Sequence, residues 1–555
     1  MGPVARTLSF ALTVCSLAVP FSSRAADHLK IKTDKGKVQG KLSDNGQVRT
    51  FLGIPYAAPP VGSMRWKPPQ PEAKWKGVRE ATQFGNRCMQ PDVFHDMHFR
   101  DPGQSEDCLT LNVWTPARDK HAKLPVMVWI FGGGFVGGAT SEPRQDGAHL
   151  AHKGVVVVSM NYRLGLFGFL ALPGLADESS QHATGNYGLM DQTAALQWVK
   201  RNIGAFGGDP GNVTIFGESA GSFSVSAQMA SPLAQGLFVH AIGESGAAFD
   251  SRGLAFPPAA EQEKKDAAWS LATFGTSDLA ELRGMSAEDL MTKMSAQPPT
   301  TRAPIGPDVD GYFLPESVPQ IYKEGKQAHV PLLAGWNRDE PSALVVNYPQ
   351  PPTMQSFREM AQKTFGARAD EFLKAYPDNS DAEAVRSSIN FAGDSFIAFS
   401  TWEWLQAQVA TGGQPVYRYH FERPSPADKY HPAGSGAFHS DEIEYVFGTL
   451  DSRPDAVWQP EDQKLSDLIE TYWTNFAKTG DPNGDDAPQW PQYKAADGWQ
   501  VMHLDVNSEA RPSEDRDRYL FLQSVWAPIE GMTSPAVGAA APGAGRAPAA
   551  ADRPR

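Results

Sequence analysis

One serine in the chain stands in a setting that would make it a nucleophile. In Gly217-Glu218-Ser219-Ala220-Gly221 the serine lies between two glycines. Placed between a strand and a helix, this pattern forces a sharp turn that lifts the hydroxyl above the sheet while the glycines let strand and helix approach closely. The context fits: the apolar run 213–216 (Val-Thr-Ile-Phe) precedes it and a stretch of small residues, 220–230, follows. A serine hydroxyl attacks poorly at neutral pH, so it needs a base, and the base needs an orienting carboxylate. With this type of turn the chain order is Ser, acid, His. Two adjacent acids, Asp339 and Glu340, follow the run 330–333, and spacing alone leaves both open. His439, in the glycine-containing loop Gly434-Ser-Gly-Ala-Phe-His439, is placed to serve as base. His420 falls inside the preceding apolar run and reads as a core or surface residue, and His431 and His503 read as surface histidines. A tetrahedral intermediate also needs N–H donors at its oxyanion. Gly132-Gly133-Gly134 offers backbone amides with no side chain in the way, and Ala220 contributes the amide after the nucleophile. Neither GxGxxG with an acidic ribose ligand nor GxxxxGK[ST] fits the glycine run, which argues against phosphate binding.

These residues require a scaffold, and the sequence supplies one. Runs at 126–131, 155–160, 213–216, 330–333 and 416–420 are apolar almost without alternation, as strands covered on both faces are. Between the second and third, Leu189, Leu196, Val199, Ile203 and Phe206 recur at helical spacing, and Gly207-Gly208-Asp209-Pro210 stops the helix. Strand, helix and strand in repetition predict an α/β fold with a mostly parallel central sheet flanked by helices. Segments 255–300 and 355–412 read as helical insertions packed around it. No fixed-period repeat and no linker divides the body, so residues 26–532 read as one domain.

The chain has 555 residues, 41% hydrophobic and 20% charged, with 51 Gly and 45 Pro, enough apolar material for a large core. The net charge of −13, without a basic run, argues against nucleic acid and anionic lipid as partners. Residues 1–25 combine Arg6, an apolar stretch over 8–21 and Ser23-Arg24-Ala25, which reads as a secretory signal cleaved after Ala25. That stretch is shorter than the roughly 18–20 residues a membrane span needs. Its removal leaves two of the 3 cysteines, Cys88 and Cys108, and two cysteines in an exported protein, periplasmic or secreted, favour one disulfide. Residues 533–555, rich in Ala, Pro, Gly and Arg, read as a disordered tail.

The ordered motifs resemble the type-B carboxylesterase family, which includes the cholinesterases. They are Ser105-Glu-Asp-Cys-Leu-Thr-Leu-Asn-Val113, Trp129-Ile-Phe-Gly-Gly-Gly-Phe135, Asn161-Tyr-Arg163, Gly185-Asn-Tyr-Gly188, Phe206-Gly-Gly-Asp-Pro210, Gly217-Glu-Ser-Ala-Gly221, Asn337-Arg-Asp-Glu340, His439-Ser-Asp-Glu442 with Tyr445-Val-Phe-Gly448, and Phe476-Ala-Lys-Thr-Gly-Asp-Pro-Asn483. The resemblance implies an α/β-hydrolase fold with an active-site gorge, Ser219 as nucleophile, Glu340 rather than Asp339 as acid, and His439 as base. It further implies an oxyanion hole of Gly133, Gly134 and Ala220, a disulfide between Cys88 and Cys108, and a structural ion pair of Arg65 with Glu106. Two positions depart from the family pattern: Phe131 stands before the glycines where many relatives carry His or Tyr, and Pro341 follows Glu340 where Gly is usual. The segment between Cys88 and Cys108 holds Phe94 and Phe99 but no Trp, which argues against choline esters, whose cation is held on a Trp face.

The implied reaction is hydrolysis of small-molecule carboxylic esters through an acyl-enzyme, needing no metal and no organic cofactor. The same groups could act on an amide or carbamate. A non-catalytic binding module is the alternative from another class, and it is opposed by the presence of every member of the triad.

Overall fold

The computed structural model describes residues 28–526 apart from positions 44, 250–253, 255, 299–302, 348 and 486. The segment expected to be a leader, residues 1–25, and the Ala/Pro-rich tail lie outside the described residues. Eleven strands make one sheet: β1 (Lys41–Leu42), β2 (Arg49–Pro55), β3 (Thr110–Thr115), β4 (Leu124–Ile130), β5 (Val156–Met160), β6 (Gly208–Glu218), β7 (His240–Glu244), β8 (Leu332–Asn337), β9 (Val416–Phe421), β10 (Gln500–Leu504) and β11 (Glu509–Pro512). Their spatial order follows the chain except that β5 and β4 exchange places. From β5 to β10 neighbours run parallel, while β1, β2 and β3 at one edge and β11 at the other are antiparallel.

The parallel strands form where the sequence is continuously apolar because both faces are covered. Val126, Met127, Val128, Trp129 and Ile130 of β4 and Val156, Val157 and Val158 of β5 have no exposed surface. Helix α1 (Tyr187–Asn202) crosses from β5 towards β6 and ends, through a 3-10 turn, at Gly207 in a left-handed conformation. The run expected at 330–333 starts at Leu332 and continues to Asn337, because Pro331 lacks the amide a ladder needs. Six of the sheet's strands, β1, β2, β3, β7, β10 and β11, fall outside the expected runs. The regions read as helical insertions contain Ala259–Phe274, Leu279–Gly284 and Ala287–Ser295, and then Met354–Phe365, Ala369–Ala375, Asp381–Gly393 and Phe399–Thr411. No described helix is long and apolar enough to cross a membrane.

Register brings the functional ends together. Gly217 of β6 pairs with Ile130 of β4 and with Gly243 of β7, and Glu244 of β7 pairs with Gly335 of β8. The carboxyl ends of β4, β6, β7 and β8 therefore reach one edge of the sheet, where open α/β sheets place their ligands. Cys88 and Cys108 are joined in a disulfide. Arg65 donates to both carboxylate oxygens of Glu106, at 2.6 and 2.7 Å, so the ion pair suggested by the resemblance is present.

Candidate active site

Ser219 sits at the turn between β6 and α2 (Ala220–Ala230), with φ 55° and ψ −123°, a conformation that residues with a side chain rarely adopt. The flanking glycines make the turn possible. A Cβ on Gly221 would lie 1.9 Å from the Ile130 carbonyl oxygen, and one on Gly217 would lie 2.6 Å from it, so a side chain at either position would push β4 away. Strain of this kind gathers here. Among the described residues, Phe135, Ser219, Ser245 and Ser440 are four of the eight non-glycine positions with positive φ, and all four lie in the turn at Ser219 or in the loops around it.

His439 brings its Nε2 to 2.8 Å from Ser219 Oγ and its Nδ1 to 2.6 Å from Glu340 Oε2. With Nδ1–H donating to the carboxylate, Nε2 is left to accept the serine proton. Glu340 is immobilised through its other oxygen, which accepts from Ser245 Oγ at 2.6 Å and from the Asn337 amide at 2.8 Å. Asp339 points elsewhere. It accepts from Arg386 at 2.6 Å, and from Arg338 and the Ala437 amide at 3.0 Å each, which ties down the loop that carries His439. Ser219 is half-buried and the His439 side chain is 24% exposed.

The glycine run packs directly on this centre: a Cβ on Gly132 would be 2.9 Å from that of Ser219. Gly133 has φ 98° and Gly134 φ 61°, so both amides take orientations that other residues resist. Ala220 opens α2, where amides have no intrahelical carbonyl to bond. The glycine run, through Gly132, and the start of α2, through Ala220, thus flank Ser219 on two sides. Gln90, two residues beyond Cys88, bonds both backbone groups of Gly138, at 2.8 and 2.9 Å, and so clamps the far end of the glycine loop to the disulfide loop. Phe94 packs against Gly137 in the same place.

Several further side chains border His439 and Glu340. Glu218 Oε1 is 3.3 Å from His439 Nε2. Burial pushes its carboxyl up to about 7 against the pull of His439 and Arg144. For His439, burial works to lower the imidazole, but the carboxylates of Glu218 and Glu340 and the bond to Glu340 outweigh it and raise it. Glu442 bonds Asn337 Nδ2; burial, and then Glu218, Glu244 and Glu340, hold its carboxyl well above the usual range. Phe396 lies edge-on to the His439 ring, with centroids 5.1 Å apart at 74°. It reaches that position from a π-helical turn, Asp394–Ala398, a device frequent at functional sites. Glu218 and Glu442 lie within sequence motifs, Gly217–Gly221 and His439–Glu442, whereas nothing in the sequence marks Phe396. Among the described residues, one group of His, Cys, Asp or Glu side chains has metal-ligand spacing: His420, Glu422 and His503.

The carboxylesterase family profile matches residues 27–521. The chain belongs to the carboxylesterase family. As a family member it is a carboxylic ester hydrolase with the α/β-hydrolase fold. It is 36% identical over 503 residues to a fumonisin B1 esterase of Sphingopyxis macrogoltabida, covering 88% of this chain and 89% of that protein. To a para-nitrobenzyl esterase of Bacillus subtilis it is 37% identical over 513 residues, covering 89% and 99%. A solved structure of a PNB esterase superimposes with a TM-score of 0.74 at 36% identity, over 88% of this chain and 99% of that one. In this carboxylesterase Ser219, His439 and Glu340 form one hydrogen-bonded line, and its Ser219 end lies against Gly132 of the glycine run.

Proposed function

We propose that the chain is an exported, single-domain serine carboxylesterase that cleaves small-molecule carboxylic esters through an acyl-enzyme on Ser219. The observation that carries this reading is the unbroken hydrogen-bonded line Ser219–His439–Glu340 beside the glycine loop. His439 takes the Ser219 proton as Oγ attacks the ester carbonyl, and Glu340 holds the tautomer and favours the imidazolium. The amides of Gly133, Gly134 and Ala220 receive the oxyanion, a contribution worth about 3–4 kcal/mol per donor. His439 then passes its proton to the departing alcohol, and a water activated by the same imidazole releases the acid. Glu218, close to Nε2, helps to stabilise the positive charge while it lasts. The ester reaches Ser219 past Phe396, whose ring is exposed and lies against His439. The disulfide is consistent with export to an oxidising compartment.

The test is burst kinetics on p-nitrophenyl acetate with the wild type and Ser219→Ala. The wild type should release about one equivalent of p-nitrophenol per chain before steady state and the variant none. A burst in Ser219→Ala would overturn the assignment. Matched ester and anilide substrates distinguish ester from amide cleavage, and a panel holding fumonisin B1, p-nitrobenzyl esters and simple acyl esters ranks the substrates suggested by the relatives' names.

A further inference from the structure

The strands β9 and β10 set His420 and His503 directly opposite each other in the ladder, and Glu422, two residues beyond His420, returns to the same side of the sheet. The three side chains meet. Nδ1 of His420 lies 2.9 Å, and Nδ1 of His503 2.8 Å, from the same oxygen, Glu422 Oε1. The imidazole rings are 5.8 Å apart and nearly perpendicular. His503, read from the sequence as a surface residue, is only 8% exposed. The cluster opens on a cavity of about 290 Å³ that also touches Glu340. The cavity is lined by five carboxylates and four guanidiniums, so with the imidazoles neutral its wall carries net negative charge. Arg511 approaches the other oxygen, Glu422 Oε2, at 3.4 Å.

We propose that His420, Glu422 and His503 form a site for one divalent transition-metal ion of the zinc class. Two imidazoles and one carboxylate suit Zn²⁺ and its neighbours in the first transition row, whereas Ca²⁺ and Mg²⁺ favour all-oxygen sets. Metal–ligand bonds of about 2.0–2.1 Å place adjacent donors about 2.9–3.4 Å apart, depending on coordination number. The two donor pairs that share Glu422 Oε1 are already close to that spacing, so little rearrangement is needed to admit an ion. Remaining coordination positions face the cavity and would be filled by water. The ion would cross-link β9 to β10 near the edge of the sheet and stabilise that region; ester cleavage at Ser219 makes no use of it. The proposal is independent of the mechanism assigned to Ser219.

The experiment uses untagged, full-length protein treated with a chelator and dialysed, titrated with ZnCl₂ by calorimetry and followed by thermal unfolding. One Zn²⁺ per chain is expected, with a Kd on the order of 1 µM or tighter, and a higher unfolding midpoint with zinc than without. Glu422→Gln, which preserves shape, and His503→Asn should each weaken binding at least about tenfold and remove the zinc-dependent rise. The doubly substituted His149→Asn, His152→Asn protein, altered at histidines away from the cluster, should bind like the wild type. Co²⁺ bound to the wild type should give visible absorption that Glu422→Gln lacks. A wild type that binds no stoichiometric zinc overturns the proposal, as does a Glu422→Gln protein that binds it with unchanged affinity. Should His503→Asn fail to fold, Glu422→Gln decides alone.

Discussion

Asp339 and Glu340 are consecutive, equally buried and both carboxylic side chains, yet the geometry gives them different tasks. Glu340 Oε2 receives the His439 Nδ1–H bond, while Asp339 is engaged by two arginines and the Ala437 amide. Spacing in the sequence could not separate them. What separates them is the end of β8, where the Asn337 amide turns back onto Glu340 Oε1 and leaves the second oxygen for the imidazole. Glu340→Gln keeps the shape but cannot stabilise the imidazolium, and its amide favours the wrong tautomer. Its kcat should fall by about 10³–10⁴-fold with KM changed little. Asp339→Asn leaves the Ser219–His439–Glu340 line intact but strips Arg338 and Arg386 of their counter-charge. It should lower unfolding free energy by about 1–3 kcal/mol and reduce kcat by no more than about tenfold. Steady-state kinetics and urea unfolding on the two variants check the assignment, and equal losses of kcat would contradict it.

Elements were legible in proportion to how local their causes are. The β6, Ser219 and α2 unit could be read directly, since an apolar run, a glycine-flanked serine and a small-residue stretch act within about twenty residues. The strand β7 could not: its five residues include His240, Gly243 and Glu244, and it is a strand because β6 and β8 pair with it on either side. Gly243 is explained by groups remote in sequence: Trp404 from a distant helix, whose ring lies 2.2 Å from where a Cβ would stand, and Ser222 Oγ at 2.8 Å. The π-helical turn that presents Phe396 left no mark in composition either, since a one-residue change of helical register needs no special residue type. The disulfide loop is intermediate. Its two cysteines could be paired by counting, but its purpose emerges from Gln90, which bonds Gly138 and so steadies the glycine loop. Replacing both Cys88 and Cys108 by Ser opens a loop with a sequence separation of 20. The chain-entropy relation then predicts a loss of about 3 kcal/mol in unfolding free energy. Because the Gln90 clamp on the glycine loop loosens with it, the proposed role of that loop at the oxyanion predicts that kcat falls several-fold at temperatures where the variant is still folded. Chemical denaturation together with kcat at 25 °C tests both halves; a variant of unchanged stability would show that the loop is held by packing alone.

Over the whole molecule, stability and activity should respond to pH in opposite directions. Burial pushes Glu244 up to about 8, with the Trp473 Nε1–H bond only partly offsetting it, and pushes Asp266 up to about 7. A carboxyl raised in the folded state binds its proton more tightly there than in the unfolded chain. Its contribution is therefore fully present below the unfolded value, is lost as pH rises, and is gone once the folded value is passed. For Glu244 that window runs from about 4.5 to about 8. Asp515 works the other way: burial favours its neutral form, but Arg418 and Arg518 outweigh this and hold it well below the usual carboxylate range, so its contribution disappears only in strong acid. The protein should accordingly be most stable in mild acid, with a thermal midpoint that declines steadily from about pH 5 to pH 8. His439, raised by Glu218 and Glu340, must lose its proton before it can serve as base, so kcat/KM should climb over the same interval. Glu244→Gln keeps an acceptor for Trp473 and cannot ionise, so its midpoint should fall less steeply across pH 5–8, by up to about 1.4 kcal/mol of unfolding free energy per pH unit where Glu244 is the group titrating. Differential scanning calorimetry of the two proteins at matched ionic strength reads this slope. Parallel midpoint curves would place the alkaline loss of stability elsewhere among the buried acids.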